Sequence, residues 1–199
     1  MTEQRFKLLT DDQLTPEQKQ ALTALWATPR DGKLGLGPFN ALLRSPELLN
    51  RAQRVGEYVR FQSSLPPRLN ELAILITARH WTAQYEWFAH HRLALKAGLD
   101  PAIAAAIAEG KRPANMQSDE TVVYEFCAEL IATGQVSDAH FQAARDLFGE
   151  QGVMDLVGAL GYYSLIAMVL NVDRCPLPDG QLAPLAPLEE KTSLVSKNL

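Results

Sequence analysis

Between Asn70 and Gly98 the chain reads NELAILITARHWTAQYEWFAHHRLALKAG, and most of its acid–base chemistry is concentrated there. Glu86 and His90 are four residues apart, so a helix sets them one turn apart on a single face. A carboxylate beside an imidazole raises the imidazole pKa or fixes its tautomer, which makes a competent general acid–base pair. A solvated i,i+4 ion pair has the same spacing and contributes only a few tenths of a kcal/mol. The neighbours Trp81, Tyr85, Trp87 and Phe88 are too large and apolar for a plainly solvated face. Glu71 opens an aliphatic run. Such a carboxylate serves as a proton relay when buried, or simply favours the positive end of a helix when it sits in the first turn.

Arg79 can hold a substrate carboxylate in a bidentate fork, or form a salt bridge with Glu71, Glu86 or a neighbouring subunit. Tyr85 can orient a substrate oxygen, or be a core tyrosine with a satisfied hydroxyl. With Trp87 and Phe88 it would line a dry pocket. His91 points about 100° away from His90 on the same helix, and His140 lies in a mostly polar pattern that reads as surface. Neither HExxH nor Glu-x-x-His spacing occurs, so no metal site is expected. Cys127 and Cys175 are far apart and form no CxxC, and they read as ordinary reduced thiols.

The elements that must position these residues are helices. Thr15-Pro16-Glu17-Gln18 offers an N-cap, a proline at the first helical position and a capping-box partner, with a helix to about Ala27. The segment from Gly32 to Gly37 reads as a loop. A short helix is expected over residues 38–43, and Ser45-Pro46-Glu47 starts another that Pro66-Pro67 ends. From Arg68 to Arg79 apolarity extends round the rod, which predicts a central, buried helix. Thr82 reads as the N-cap of a helix running to Ala97, with Gly98 at its C-terminal end. Further helices are expected from Pro101 to Gly110, from Ser118 to Thr133, from Ser137 to Phe148, and from Gln151 to Leu170. No strand pattern occurs. The organisation is an N-terminal helical arm over 1–36, a helical domain over 37–175, and an extended tail over 176–199, read as free to wrap on a neighbour.

With 199 residues, 47% apolar and 21% charged, the chain has the composition of an ordinary globular domain. The formal net charge of −4 leaves no basic footprint for nucleic acid. The first residues lack the apolar core of a signal peptide, and the uncharged run from Leu156 to Asn171 is short for a membrane span. A cytoplasmic protein with no membrane partner is therefore expected.

Glu71-Leu72-Ala73-Ile74-Leu75, Ala78-Arg79, Tyr85-Glu86-Trp87 with His90, and Ala97-Gly98-Leu99 resemble the carboxymuconolactone decarboxylase family of the alkyl hydroperoxidase D-like superfamily. The resemblance is specific over Pro67 to Gly110 and loose over Phe39 to Leu170. It implies an all-α, single-domain helical bundle of the alkyl hydroperoxidase D-like type, built round an antiparallel pair over 68–79 and 82–97. It also implies homo-oligomers, often trimers or hexamers, with sites near subunit contacts. The peroxidase branch carries a CxxC with a histidine four residues after the second cysteine. Set on this chain, that pattern places the cysteines on Ala83 and Glu86, the histidine on His90, the preceding glutamate on Glu71 and a tyrosine on Tyr85. Dithiol peroxide reduction needs two thiolates within bonding reach, so the chain is expected not to be a dithiol peroxidase.

The Glu–His version resembles the decarboxylase branch. It implies a cofactor-free lyase acting on a small carboxylated, lactone-type metabolite of the kind met in aromatic catabolism. In that reading His90 donates or shuttles the proton, Glu86 tunes it, and Glu71 stabilises or relays it. Arg79, or a neighbour's arginine, clamps the carboxylate. Two other readings remain open: a non-catalytic oligomer that binds a small ligand or partner protein, and a lactone or ester hydrolase using the same pair.

Overall fold

The computed structural model describes residues 3–29 and 37–188. Its helices are α1 (Pro16–Trp26), α2 (Pro38–Leu42), α3 (Pro46–Phe61), α4 (Pro67–Trp81), α5 (Gln84–Lys96), α6 (Pro101–Ala108), α7 (Ser118–Thr133) and α8 (Asp138–Asp173). A single 3₁₀ turn lies at Asp11–Gln13, and no strand occurs among the described residues, so the protein is all-α. Five of these helices start on proline, where the missing N–H is one the first turn leaves unbonded anyway. The capping box expected before α1 is formed: Gln18 N donates to Thr15 Oγ1 at 3.3 Å, and Thr15 N donates to Gln18 Oε1 at 3.0 Å. The loop expected from Gly32 onward lies outside the described residues up to Gly37.

The centre of the fold is α4. Every residue from Leu69 to Arg79 is buried, because α5, α6, α7 and α8 all pack on it. A helix covered on all sides must be apolar nearly all round, and the polar exceptions Asn70, Glu71, Thr77 and Arg79 each need an explanation. Asn70 Nδ2 donates to the Val59 carbonyl at 3.0 Å and Thr77 Oγ1 to the Ala73 carbonyl at 2.9 Å.

The turn between α4 and α5 differs from its sequence expectation. Thr82 does not cap α5. It adopts the left-handed conformation (φ 49°, ψ 41°) and closes α4, with Ala83 N bonded to the Ala78 carbonyl at 2.9 Å and Thr82 N to Arg79 at 3.0 Å. This is the six-to-one closure usually given to glycine or asparagine at the left-handed position. It folds α5 straight back along α4.

α8 is bent where the sequence stops one helix and starts another. Gly149 takes φ 67°, ψ 178°, so residues 138–148 and 150–173 form two arms of one continuous element. Among the described residues α8 alone is long and apolar enough to cross a membrane. Of that apolar window 56% is buried inside the protein, against α4, α7, α2 and α3, as in a core helix.

Two aspartates fasten the ends of the C-terminal arm. Asp155 accepts from Tyr58 Oη (2.9 Å), Ser63 Oγ (3.3 Å), and Ser64 N and Oγ (both 2.7 Å), tying the α3–α4 connection to α8. Asp173 accepts from Phe6 N (2.8 Å) and Gln4 Nε2 (2.8 Å), so the N-terminal segment is clipped to the end of α8. The N-terminal region is integrated with the rest, since α1 packs on α3 and buries Ala21, Leu22 and Leu25. The described part of the tail folds back on its own chain. Leu185 is buried, and its backbone N–H and C=O both bond the Gln84 side-chain amide, at 3.0 and 2.8 Å.

Candidate active site

His90 and Glu71 meet across the α4–α5 pair. His90 Nδ1 lies 2.8 Å from Glu71 Oε2, and the two residues are only 7% and 8% exposed. An Nδ1–H donated to this carboxylate leaves Nε2 as the ring nitrogen available to the cavity. The back-folding α4–α5 turn makes this contact possible, because it sets the first turns of α4 against the last turns of α5. Tyr163 of α8 stacks edge-on against the imidazole, with centroids 4.7 Å apart at 80°.

The sequence expectation that Glu86 is the imidazole's partner is corrected. Glu86 is 2% exposed, and neither of its carboxyl oxygens has a hydrogen-bond partner among the described residues. The i,i+4 spacing sets Glu86 and His90 on one face, but side chains leaving one face run side by side. The imidazole turns instead to the facing helix. Burial with nothing to compensate it pushes the Glu86 carboxyl well above the ordinary carboxylate range, which favours its protonated form.

Glu86, His90 and Tyr163 line a cavity of about 170 Å³ between α3, α5 and α8 and the start of α2, and Glu71 reaches it only through His90. From α5 it takes Tyr85, Glu86, Ala89 and His90, a single helix face. From α8 it takes Tyr162, Tyr163, Ile166 and Leu170, and from α3 Arg60. Burial, followed by the Glu71 charge, raises the Tyr163 phenol well above its usual value. Burial also raises the Tyr85 phenol, with Cys175 contributing. Both phenols therefore stay neutral donors. The Cys175 thiol takes a hydrogen bond from Gly37 N at 3.3 Å, and burial raises it to about 11. At that value it is a thiol near neutral pH and a poor nucleophile. Both cysteines are free, with Cys127 in the core on α7.

Two glycines shape the walls. A Cβ at Gly56 would fall 2.1 Å from Cζ of Tyr162, so the Tyr162 ring occupies space that only glycine leaves. Gly37, at φ 116°, lies against the Tyr85 ring.

Three residues expected at the site lie elsewhere. Arg79 is eight residues beyond Glu71 on α4, which places it about 12 Å along the helix and about 80° round it. It faces α6, α7 and the tail, where Nη2 donates to the Ala186 carbonyl at 2.8 Å. Trp87 is buried in the core and stacks on His91, with centroids 5.9 Å apart at 15°. Phe88 packs by Tyr85 and under the Arg92 guanidinium. One residue of helix turns a side chain by about 100°, so the small Ala89 lines the cavity and Trp87 and Phe88 do not. His140, read as a surface residue, has Nδ1 2.7 Å from Glu129 Oε2.

Arg60, Tyr162 and Tyr163 are cavity residues that sequence reasoning did not single out. Adjacent tyrosines in the aliphatic run of α8 are a recognisable signal, since two phenols on a buried helix need polar surroundings. Arg60 sits in an ordinary amphipathic helix and carries no such signal. Neither carboxylate–imidazole–cysteine clusters nor other metal-ligand groupings of three or more occur among the described residues. No protein-family model matches this chain, and no characterised protein matches it significantly.

Proposed function

We propose that the cavity is the active site of a cofactor-free lyase that decarboxylates a small, carboxylated, lactone-type metabolite. One observation carries this reading: the buried Glu71–His90 contact of 2.8 Å holds His90 in one cavity with Glu86, a buried carboxyl without a hydrogen-bond partner among the described residues. A carboxyl whose burial favours its protonated form, beside an imidazole held by a second carboxylate, supplies an acid and a proton carrier in one site. The local resemblance to the carboxymuconolactone decarboxylase family supplies the reaction class.

In the proposed reaction the substrate's C–C bond to its carboxylate breaks and CO2 departs. The electron pair stays on carbon and spreads into the conjugated lactone. A proton then closes the carbon. Glu86 donates it in the protonated form that burial maintains, and His90, oriented by Glu71, returns a proton to the site from solvent. Arg60 takes over the role expected of Arg79 and neutralises the carboxylate end of the bound substrate. Tyr85 and Tyr163, both neutral, donate to the lactone oxygens. The apolar wall of Ile166 and Leu170 excludes water from the reacting carbon.

The protein acts as a homo-oligomer in this proposal. Met154, Val157, Met168 and Val172 are exposed apolar residues on α8, and faces of this kind mark contacts. The contact falls on α8, because α4 is already covered within one protomer.

The reading is tested by incubating the protein with a panel of carboxylated lactones in D2O. Release of CO2 together with deuterium at the vacated carbon is expected. Opening of the lactone ring with the carboxylate retained would instead identify a hydrolase, and no turnover of any member would remove the proposal.

A further inference from the structure

Arg79 is a buried cation whose missing partner points to a second site. The residue is 4% exposed. Its Nε and Nη1 are sealed from water and bond nothing among the described residues, and its one hydrogen bond runs from Nη2 to the Ala186 carbonyl at 2.8 Å. Among the described residues no carboxylate pairs with it, whereas Arg68 finds two and Arg112 one. A guanidinium stays charged in proteins even where burial opposes it, so α4 carries a buried positive charge balanced by one carbonyl dipole. Buried charges of this kind are strongly unfavourable unless something compensates them.

The space next to Arg79 is a pocket of about 160 Å³ between α4, α6 and α7. Lys111 and Tyr124 line it with Arg79, and no aspartate or glutamate does. Two acids stand by the rim: Glu109 holds Lys111 Nζ at 2.7 Å, with both side chains more than half exposed, and Glu125, paired with Arg112, acts on the Tyr124 phenol. A pair as open as Glu109–Lys111 is weak and leaves Lys111 able to turn inward. Burial keeps the Tyr124 phenol neutral and a donor. None of the lining residues is shared with the Glu71–His90 cavity. The described tail passes over this region, with Ala186 on Arg79 and the Leu188 side chain against Gly110.

We infer that the pocket between α4, α6 and α7 binds a small oxyanion, a carboxylate or phosphate group, through Arg79 with Lys111 and Tyr124 as further donors. The planar fork of a guanidinium matches both groups, and two of its nitrogens here have no other acceptor. The volume suits an inorganic phosphate or a short dicarboxylate, not a nucleotide. The Ala186 carbonyl holds the fork while the site waits, and an anion that takes the guanidinium competes with this tail contact. The inference does not depend on the chemistry proposed for the other cavity.

The experiment is calorimetric titration of the full chain with inorganic phosphate and, separately, malonate, at an ionic strength held constant with chloride. Saturable one-to-one binding of either is expected. Phosphate alone identifies a phosphate-bearing ligand, malonate alone a carboxylate, and both support the site. Tyr124→Phe and Lys111→Ala should each weaken binding by about tenfold, the scale of one hydrogen bond to a charged group. Arg79→Gln, checked for folding by circular dichroism, should abolish it, and Arg60→Gln should leave it unchanged. If Arg79→Gln does not fold, the Lys111 and Tyr124 variants decide. Absence of saturable binding overturns the inference, as does binding insensitive to Lys111→Ala and Tyr124→Phe. Loss in Arg60→Gln would place the anion in the Glu71–His90 cavity and overturn it too.

Discussion

Replacing Glu86 with glutamine should make the protein more stable at neutral pH and should change how its stability depends on pH. Glutamine has the shape of the protonated carboxyl and leaves the same kind of polar atoms without partners, so at low pH the two proteins should be alike. Glu86 has a folded pKa raised by burial, whereas in the unfolded chain it titrates near about 4.3. Between those values the unfolded wild type has released a proton that the folded protein still holds. The folded state then binds more protons, so stability falls as pH rises. The slope is about 1.4 kcal/mol per pH unit, or about 2.7 kcal/mol from pH 5 to pH 7 while Glu86 remains protonated. In a protein of this size that difference amounts to roughly 5–10 °C in Tm. The assay is urea or thermal denaturation of wild type and Glu86→Gln at pH 5, 6 and 7, at one protein concentration. The Glu86→Gln advantage should widen with each step. An infrared difference spectrum at pH 7 should also show a carboxylic acid carbonyl band in the wild type alone. Parallel stability curves, with no such band, would mean that Glu86 is ionised in the fold and cannot serve as the acid.

Asp155 should behave in the opposite sense. Burial opposes its charge, yet the hydrogen bonds from Ser64, Tyr58 and Ser63 hold its carboxyl below the ordinary aspartate range. Its stabilisation is therefore present above the unfolded value of about 3.9 and is lost as pH falls through the lower folded value. Asp155→Asn should cost on the order of 2–3 kcal/mol at pH 7, and acid titration of both proteins should show the gap closing below pH 4. Gly56→Ala should force the Tyr162 ring out of its place, since the added carbon would lie 2.1 Å from it. A loss of about 1–3 kcal/mol is expected, and an unchanged Tm would show that the ring moves freely. Light scattering at micromolar concentration should give a multiple of the 22.0 kDa chain mass, and a charged residue at exposed Met154 should shift it toward the monomer.

Much of the fold was legible because its signals are local. The Thr15–Gln18 capping box, the prolines that open helices, and Gly149 between two helical stretches all act within a few residues. The apolar composition of α4 predicts a covered helix whatever covers it. Thr82 was misread because a threonine serves well as an N-cap, and only the tertiary path shows that the chain must reverse there in a left-handed turn. Spacing brought Glu86 and His90 to one face, but whether two such residues touch depends on what faces them. The Glu71–His90 contact, the tyrosines of α8 and Arg60 come from helices 19 to 103 positions apart in sequence terms, set by packing angles that no short window contains. Arg79 lies close to Glu71 in sequence, and its 80° turn away was computable from helix geometry alone. The return of the tail onto Gln84 rests on one buried leucine, Leu185, in a segment without periodicity.

The central claim is that His90, oriented by Glu71, resupplies the proton that Glu86 delivers to the substrate carbon. The most direct measurement is kcat for His90→Gln on a carboxylated lactone that the wild type turns over. A fall of roughly 10²–10⁴-fold, the usual share of general acid–base catalysis, is predicted, with KM little changed. Glu71→Gln should fall less and shift the pH profile, and His91→Gln, whose ring stacks on Trp87 away from the cavity, should match the wild type. Equal kcat for His90→Gln and wild type would contradict the account and leave the buried pair as a structural contact.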